Sequence, residues 1–255
     1  MAMVLNEEQN MLKDAAKGFM TDNAPISQLR RLRDEENKDG FDRDTWKSMA
    51  EMGMTGVLVP EEFGGVAMGH VAAGVIAEEM GRTLTASPFL STAIMGATAL
   101  SRFGTGSQKS EWLAKIASGD AITAVAVDEA RKHAPSTVTT TAERSGNGFK
   151  LNGAKSFVAD GHIADMMIVS ARTSGEESDA DGITLFLVPR EADGVSVEVD
   201  TMIDSRLASD IKFDNVELDA DAVLGEIDGG FTALEQVLDA GRAGLSAEMS
   251  GSAQA

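Results

Sequence analysis

Between Ala121 and Leu218 the apolar residues of this chain recur with a period of two, and on either side of that stretch they recur at helical spacing. A chain that switches period twice has to fold as a β module set between helical blocks. The stretch from Ala121 to Gly161 sets the terms. It opens on an apolar run, Ala121 to Val127, that stops at the charged pair Asp128-Glu129. A Thr-rich alternating segment follows, then a Gly146-Asn147-Gly148 turn. Phe149 to Leu151 leads into a second turn signal, Asn152-Gly153, and then into Lys155 to Val158. Strand residues bounded by Gly and Asn turns read as an antiparallel unit.

Upstream, residues 5–20 bring Leu5, Met11, Leu12, Ala15, Ala16 and Phe19 to one helix face, with Asn6 as cap and Gln9 three residues on. A charged helix is expected over 26–36. Another, capped by Asp42 or Asp44, runs through Trp46, Met49 and Met52 to Gly53. Residues 54–70 carry Pro60, two acids and Gly64-Gly65, the marks of a fixed loop. Further helices are expected over 70–81, over 89–103, and from Ser107 to Ser118 with Gly119 ending it. Residues 1–120 therefore read as an N-terminal all-α domain of five or six helices.

Downstream, Ala164 to Ala171 reads as a buried strand, 172–182 as a polar hairpin loop, and Ile183 to Val188 as a strand stopped by Pro189. Val195, Val197 and Val199 alternate. Ile211 with Phe213, and Val216 with Leu218, read as two further short strands. Together these suggest a middle antiparallel β-barrel or sandwich over 121–225. From Gly229-Gly230-Phe231 a helical pattern runs through Leu234, Val237, Leu238, Arg242, Leu245 and Met249 and is still running at Ala255. Residues 226–255 thus read as the truncated start of a C-terminal helical bundle. The fold class is α+β.

Composition narrows the chemistry. The 255 residues are enough for two domains, and their 43% apolar and 25% charged content is that of a globular protein. With no cysteine, disulfides, thiolate metal sites and Cys nucleophiles are excluded. His70, His133 and His162 lack ligand spacing, so no metal site is expected. Twenty-two Lys and Arg against 41 Asp and Glu give a net charge of −19, which argues against nucleic-acid or anionic-membrane partners and serves solubility. The N-terminus MAMVLNEEQN has no signal-peptide pattern and no apolar run approaches the roughly 20 residues of a membrane span. A cytoplasmic location is expected.

The order helical block, β module, helix comes with GVLVPEEFGG at 56–65, SQKSEWLAKIASGD at 107–120 and LNGAKSFVADGHIADMMIVSAR at 151–172. IKFDNVELDADAVLGEIDGGF and LDAGRAGLSAEMSG follow. Together, and along the whole chain, these segments resemble the acyl-CoA dehydrogenase family. The resemblance implies an N-terminal helical domain, a middle β-barrel and a C-terminal four-helix bundle, commonly in a tetramer. It implies FAD as cofactor, α,β-desaturation of an acyl-CoA thioester with hydride transfer to the flavin, and an electron-transferring flavoprotein as acceptor. Donors must meet the thioester oxygen and a base must reach the α carbon.

The resemblance carries over unevenly. The first flavin stretch corresponds to Val125, Ala126, Val127 and Asp128, where Asp128 replaces a usual Thr. Residues 130–135, Ala-Arg-Lys-His-Ala-Pro, replace a turn of small residues, with Ala134 at a substrate-contacting position. The second flavin stretch, usually Trp-Ile-Thr or Trp-Ile-Ser, is Phe157, Val158 and Ala159; Phe157 can pack on the ring, and Ala159 lacks the hydroxyl. Asp239 and Arg242 match an Asp and an Arg that lie near the thioester in the family. Gly241 takes the place of the catalytic Glu that some members carry before this Arg. The commoner Glu position falls in the bundle, so the base is expected beyond Ala255. Three functions follow from the resemblance: an acyl-CoA dehydrogenase, a degenerate non-catalytic subunit of a heteromeric one, or a flavin monooxygenase on the same fold. GRTLTASPFLSTA at 81–93 is closer in style to bacterial enzymes of dicarboxyl, alicyclic or steroid-derived CoA esters, which suits fatty acid or steroid degradation.

Overall fold

The computed structural model describes residues 4–255; Met1 to Met3, the start of the segment judged free of a signal peptide, lie outside the described residues. Six α-helices come first: α1 Glu7–Asn23, α2 Ile26–Asp34, α3 Arg43–Glu51, α4 Gly69–Thr83, α5 Ala97–Phe103 and α6 Gly106–Ala117. Their starts follow the sequence logic. The Asn6 side chain accepts from Gln9 N at 2.8 Å while the Gln9 side chain accepts from Asn6 N at 3.1 Å, a reciprocal capping box. Asp42, not Asp44, caps α3, accepting from Thr45 N. The single helix expected over 89–103 is two segments: Phe89–Gly96 is wound as a wider π-helix before α5 begins.

The middle of the chain is one eight-stranded, mostly antiparallel sheet. Its strands are β1 Thr123–Ala126, β2 Thr141–Ser145, β3 Gly148–Ala159, β4 Met166–Arg172, β5 Ile183–Pro189, β6 Val195–Thr201, β7 Leu207–Leu218 and β8 Val223–Leu224. They pair in the order β6-β7-β3-β2-β4-β5-β8, with β1 alongside β4. The β1–β4 pair is parallel, Thr123 opposite Met166, so the sheet is not uniformly antiparallel.

Two turn signals do not end strands. Asn152-Gly153 lies inside β3, where the register with β7 shifts between Leu151 and Gly153. Gly153 serves close approach rather than a reversal: a β-carbon there would sit 2.7 Å from Thr140 Cα. The two strands expected around Ile211 and Leu218 are one, β7, bent opposite that shift, where Asn215 N donates to Asn152 Oδ1 at 2.8 Å.

The sheet is rolled, so both faces are buried. Met167 and Val169 of β4, with Phe186 and Val188 of β5, fill its inside. Their neighbours Ile168, Leu185 and Leu187 pack outward against helices α5, α6 and α7, the last spanning Gly230–Gln254. This explains why β4 is buried at every position despite its period of two. Helix α7 also lies along α4, and the crossing is made of glycines: a β-carbon on Gly81 would clash with Glu248 O, and one on Gly251 with Glu78 O. Among the described residues no helix is long and apolar enough to cross a membrane, and no group of three or more His, Asp or Glu is placed to hold a metal.

Candidate functional site

A cleft of about 240 Å³ opens where the ends of β1 and β3 meet the π-helical segment, α7, the loop before α3 and the β6–β7 turn. Strand alternation decides which residues reach it. Val125 and Val127 line it, as does Asp128 just beyond β1, while Ala124 and Ala126 turn into the rolled interior. On β3 the register shifts between Lys155 and Val158. Across that bulge Ser156, Phe157, Ala159 and Asp160 face the cleft, while Val158 is buried behind them. Phe157 and Asp160 both take left-handed backbone, at φ 57° and 59°. The Phe157 ring is left 65% exposed, which is unusual for an aromatic with an apolar wall beside it. Leu90, Ser91 and Met95 form the helical side, Leu238 the α7 side, and Phe41 and Leu207 complete the apolar walls.

The site residues expected from the sequence divide accordingly. Val125, Val127, Asp128, Phe157 and Ala159 meet in this one cleft, while Ala126 and Val158 stand behind its wall. Ala134 does not line it; its backbone N–H donates to Asp128 Oδ1 at 3.0 Å. His133 Nδ1 meets the other Asp128 oxygen at 2.8 Å. The 128–134 loop is therefore folded back on the Asp128 carboxylate. Asp239 and Arg242 pair with each other at 2.6 Å, exposed, on the turn of α7 beyond Leu238 and outside the cleft lining.

Four polar features of the cleft carry no sequence signal. Ser91 Oγ donates to Asp160 Oδ2 at 2.6 Å. Burial pushes the Asp160 carboxyl up to about 6, against the pull of the Ser91 hydrogen bond and of Arg206. Arg206 is held by Glu248 of α7 at 2.7 Å. His162 sits with Nε2 3.3 Å from Asp39 O, and burial lowers its pKa.

Beneath the floor lies a buried ion pair. Lys155 is fully buried; its Nζ donates to Glu129 Oε1 at 2.7 Å, Val127 O at 3.0 Å and Ser170 Oγ at 3.0 Å. Glu129 also accepts from Thr139 N at 2.7 Å, from Thr140 N at 3.0 Å and from the Thr139 hydroxyl. Burial raises the Glu129 carboxyl, but Lys155 and the two threonines overcome it and hold it at about 2. Lys155 is brought down to about 8, because complete burial outweighs the attraction of Glu129. The pair ties the end of β1 to β3, β4 and the loop after Asp128, and so fixes the wall that Val127 and Asp128 present.

Two family models match the chain: the acyl-CoA dehydrogenase N-terminal domain over residues 6–120 and the acyl-CoA dehydrogenase middle domain over 123–216. Among relatives, the 3-(aryl)acrylate reductase of Clostridium sporogenes is 31% identical, over 99% of this chain and 67% of its own length. The mitochondrial very long-chain specific acyl-CoA dehydrogenase of Rattus norvegicus is 28% identical, over 99% of this chain and 40% of its own. A solved steroid ACAD, Tcur3481-Tcur3483, superposes with a TM-score of 0.86 at 25% identity, covering 99% of this chain and 65% of that one. The chain thus spans between two-fifths and two-thirds of the length of these relatives.

Proposed function

Because the chain belongs to the acyl-CoA dehydrogenase family, we propose that its cleft is the flavin-side wall of an FAD-dependent enzyme that desaturates an acyl-CoA thioester between its α and β carbons. One observation carries this reading. The two stretches that resemble flavin contacts, 32 residues apart from Val125 to Phe157 in the numbering of the chain, meet in a single apolar cleft. We divide the chain into a helical domain over 1–120, a sheet domain over 121–225 and a helical segment over 226–255.

The residues present suit a flat, largely apolar ring. Phe157 offers an uncovered aromatic face, and Val125, Val127 and Ala159 extend it. FAD, when bound, supplies the acceptor for the hydride that leaves the β carbon. Phe157, Val125 and Val127 would hold the ring, and the apolar walls from Phe41, Leu90 and Leu238 would exclude water from it. Ala159 offers no hydroxyl, so one hydrogen bond worth about 1 kcal/mol is missing from this wall. Ala134, Asp239 and Arg242 are assigned to the CoA side of the substrate. An electron-transferring flavoprotein as acceptor, a homo- or hetero-tetramer and a cytoplasmic location complete the reading.

A second reading is favoured by the Asp128 loop: a non-catalytic subunit that scaffolds a flavin-bearing partner. Arg131, Lys132 and His133 stand where the family has small residues, and the loop is closed on Asp128. Titration of the purified protein with FAD, followed by the visible absorbance and quenched fluorescence of the flavin, separates the two. Saturable binding that weakens in Phe157→Ala supports the dehydrogenase. No binding to this chain, with flavin retained only on a co-purified partner, rejects it for the second reading.

A further inference from the structure

A second pocket, of about 320 Å³, opens where the loop over 56–68 meets the start of α4 and the end of α5. It shares no lining residue with the flavin-side cleft. We propose that this pocket binds a carboxylate carried on a short apolar body, a short-chain carboxylic acid, with Arg102, Thr98, Ser101 and the N-terminus of α4 as its donors. Such a site stands whether or not the cleft holds a flavin.

Among the described residues four buried side-chain atoms have no hydrogen-bond partner, and two of them, Thr98 Oγ1 and Ser101 Oγ, belong to residues that line this one pocket. They stand one turn apart on α5. Thr98 is only 4% exposed, so bulk water does not supply the missing bond. A helical serine or threonine commonly turns its hydroxyl onto the carbonyl one turn back, and neither does so here. Each has a further rotamer about Cα–Cβ, through which the hydroxyl can swing to a ligand seated in the pocket.

Two further groups at the pocket can only donate. Arg102, exposed at the rim, pairs with no acid among the described residues, although the chain carries 41 acids against 22 Lys and Arg. Helix α4 begins at Gly69 with no side-chain cap and no acid in its first turn. Its first N–H groups and its positive end are therefore left unanswered at Gly69 and His70, which line the pocket. The His70 imidazole is kept neutral, its pKa lowered by burial and then by the charge of Arg102. The missing partner is thus a negatively charged acceptor. A carboxylate suits it, because it matches the planar guanidinium fork and brings a single charge for one arginine to offset. A phosphate dianion would bring a second charge with only neutral donors left to meet it, in a protein of net charge −19. The rest of the lining, Leu58, Pro60 and Ala67, is apolar and would cover a hydrocarbon tail. Backbone bonds brace that wall, from Val66 N to Gly56 O at 3.0 Å and from Ala67 N to Val59 O at 3.1 Å.

The test is isothermal calorimetry on the protein as purified, with its flavin and any partner subunit, using hexanoate, 1-hexanol and inorganic phosphate. Hexanoate should bind one to one, roughly tenfold more tightly than either of the others, the gain of a charge-assisted hydrogen bond over 1-hexanol and of apolar cover over phosphate. Arg102→Met should remove the advantage over 1-hexanol. Thr98→Val, close in shape but without the hydroxyl, should weaken hexanoate about threefold, whereas Phe157→Ala in the separate cleft should leave it unchanged. Thr98→Val should also keep or raise the urea midpoint, since the hydroxyl it removes has no partner in the free protein. Hexanoate binding no tighter than 1-hexanol or phosphate overturns the proposal. So does full affinity in Arg102→Met, or loss of hexanoate binding in Phe157→Ala. A lower urea midpoint in Thr98→Val overturns it too, because the hydroxyl would then already serve the fold.

Discussion

Lys155→Met tests whether the buried pair beneath the cleft holds the chain together. The substitution keeps most of the apolar stem, one heavy atom shorter, and removes the ammonium from three acceptors: Glu129 Oε1, Val127 O and Ser170 Oγ. Glu129 keeps its threonine donors but loses the charge that holds it down. Its carboxyl stands at about 2 in place of 4.5. Breaking a buried pair from one side costs about 3–5 kcal/mol, and the burial cost that lowers Lys155, removed along with its ammonium, brings the net toward the low end of that range. The sign is that of a depressed carboxylate. The stability is present above pH 4.5 and is lost as pH falls toward 2. Urea denaturation should therefore show Lys155→Met about 3 kcal/mol less stable than the parent at pH 7, with the gap narrowing as the medium is acidified below pH 4.5. Adding Glu129→Gln to Lys155→Met should cost far less than Glu129→Gln alone, because no lone buried charge is left. A gap that stays constant down to acid pH, or strictly additive single substitutions, would falsify the claim that the two charges act as a unit.

Helix packing and the Asp160 carboxyl give two further expected outcomes. Gly81→Ala or Gly251→Ala drives a β-carbon into the backbone of the facing helix, so each should loosen the α4–α7 packing and cost about 1–3 kcal/mol in thermal or urea unfolding, while Gly18→Ala, whose β-carbon meets nothing, should not. Asp160 has a raised carboxyl, so the stability linked to its protonation is present below pH 3.8 and lost as pH rises through 6. Asp160→Asn should therefore gain on the parent across that window, by on the order of 2 kcal/mol at neutral pH, and a parallel pH profile for the two proteins would refute the burial of this carboxyl.

The helices were legible because their signals are local. A cap, an apolar stripe and a stop fall within one or two turns, as with Asn6 and Gln9 on α1 and Asp42 on α3. The sheet was legible as a pattern of period two, but not in its bends. Asn152-Gly153 reads as a reversal in sequence because such pairs make hairpins; here Thr140 approaches so closely that glycine is needed in a strand that runs straight on. The π-helical winding of Phe89–Gly96 left no local trace either. Its apolar spacing is that of an ordinary helix, and its partners lie on β1. Thr123 N donates to Thr92 Oγ1 at 3.0 Å, and Thr123 Oγ1 donates to Ser91 O at 3.3 Å. A side chain 32 residues away bonds to the helix backbone at the point where the winding is wide, and no window along the chain includes both ends of that bond.

The same separation hid the charged groups of the site, and it is also what makes the cleft persuasive. Lys155 reads as an ordinary polar strand residue until Glu129, 26 positions earlier, is set against it. Asp160 reads as a loop acid until Ser91, 69 positions earlier, donates to it. Each departure from local rules costs stability where it stands: a lysine out of water, a carboxylate in an apolar wall, two of the eight described non-glycine residues at positive φ, a helix wound out of its usual pitch. Scattered over the molecule these would be unrelated defects. Phe157, Asp160 and the π-helical segment instead line one cleft, and the lysine secures the strand end that forms its floor. Folding alone does not require unfavourable local choices from two separate parts of a chain, 89–96 and 155–160, to be gathered at one place; a site that has to receive a ligand does.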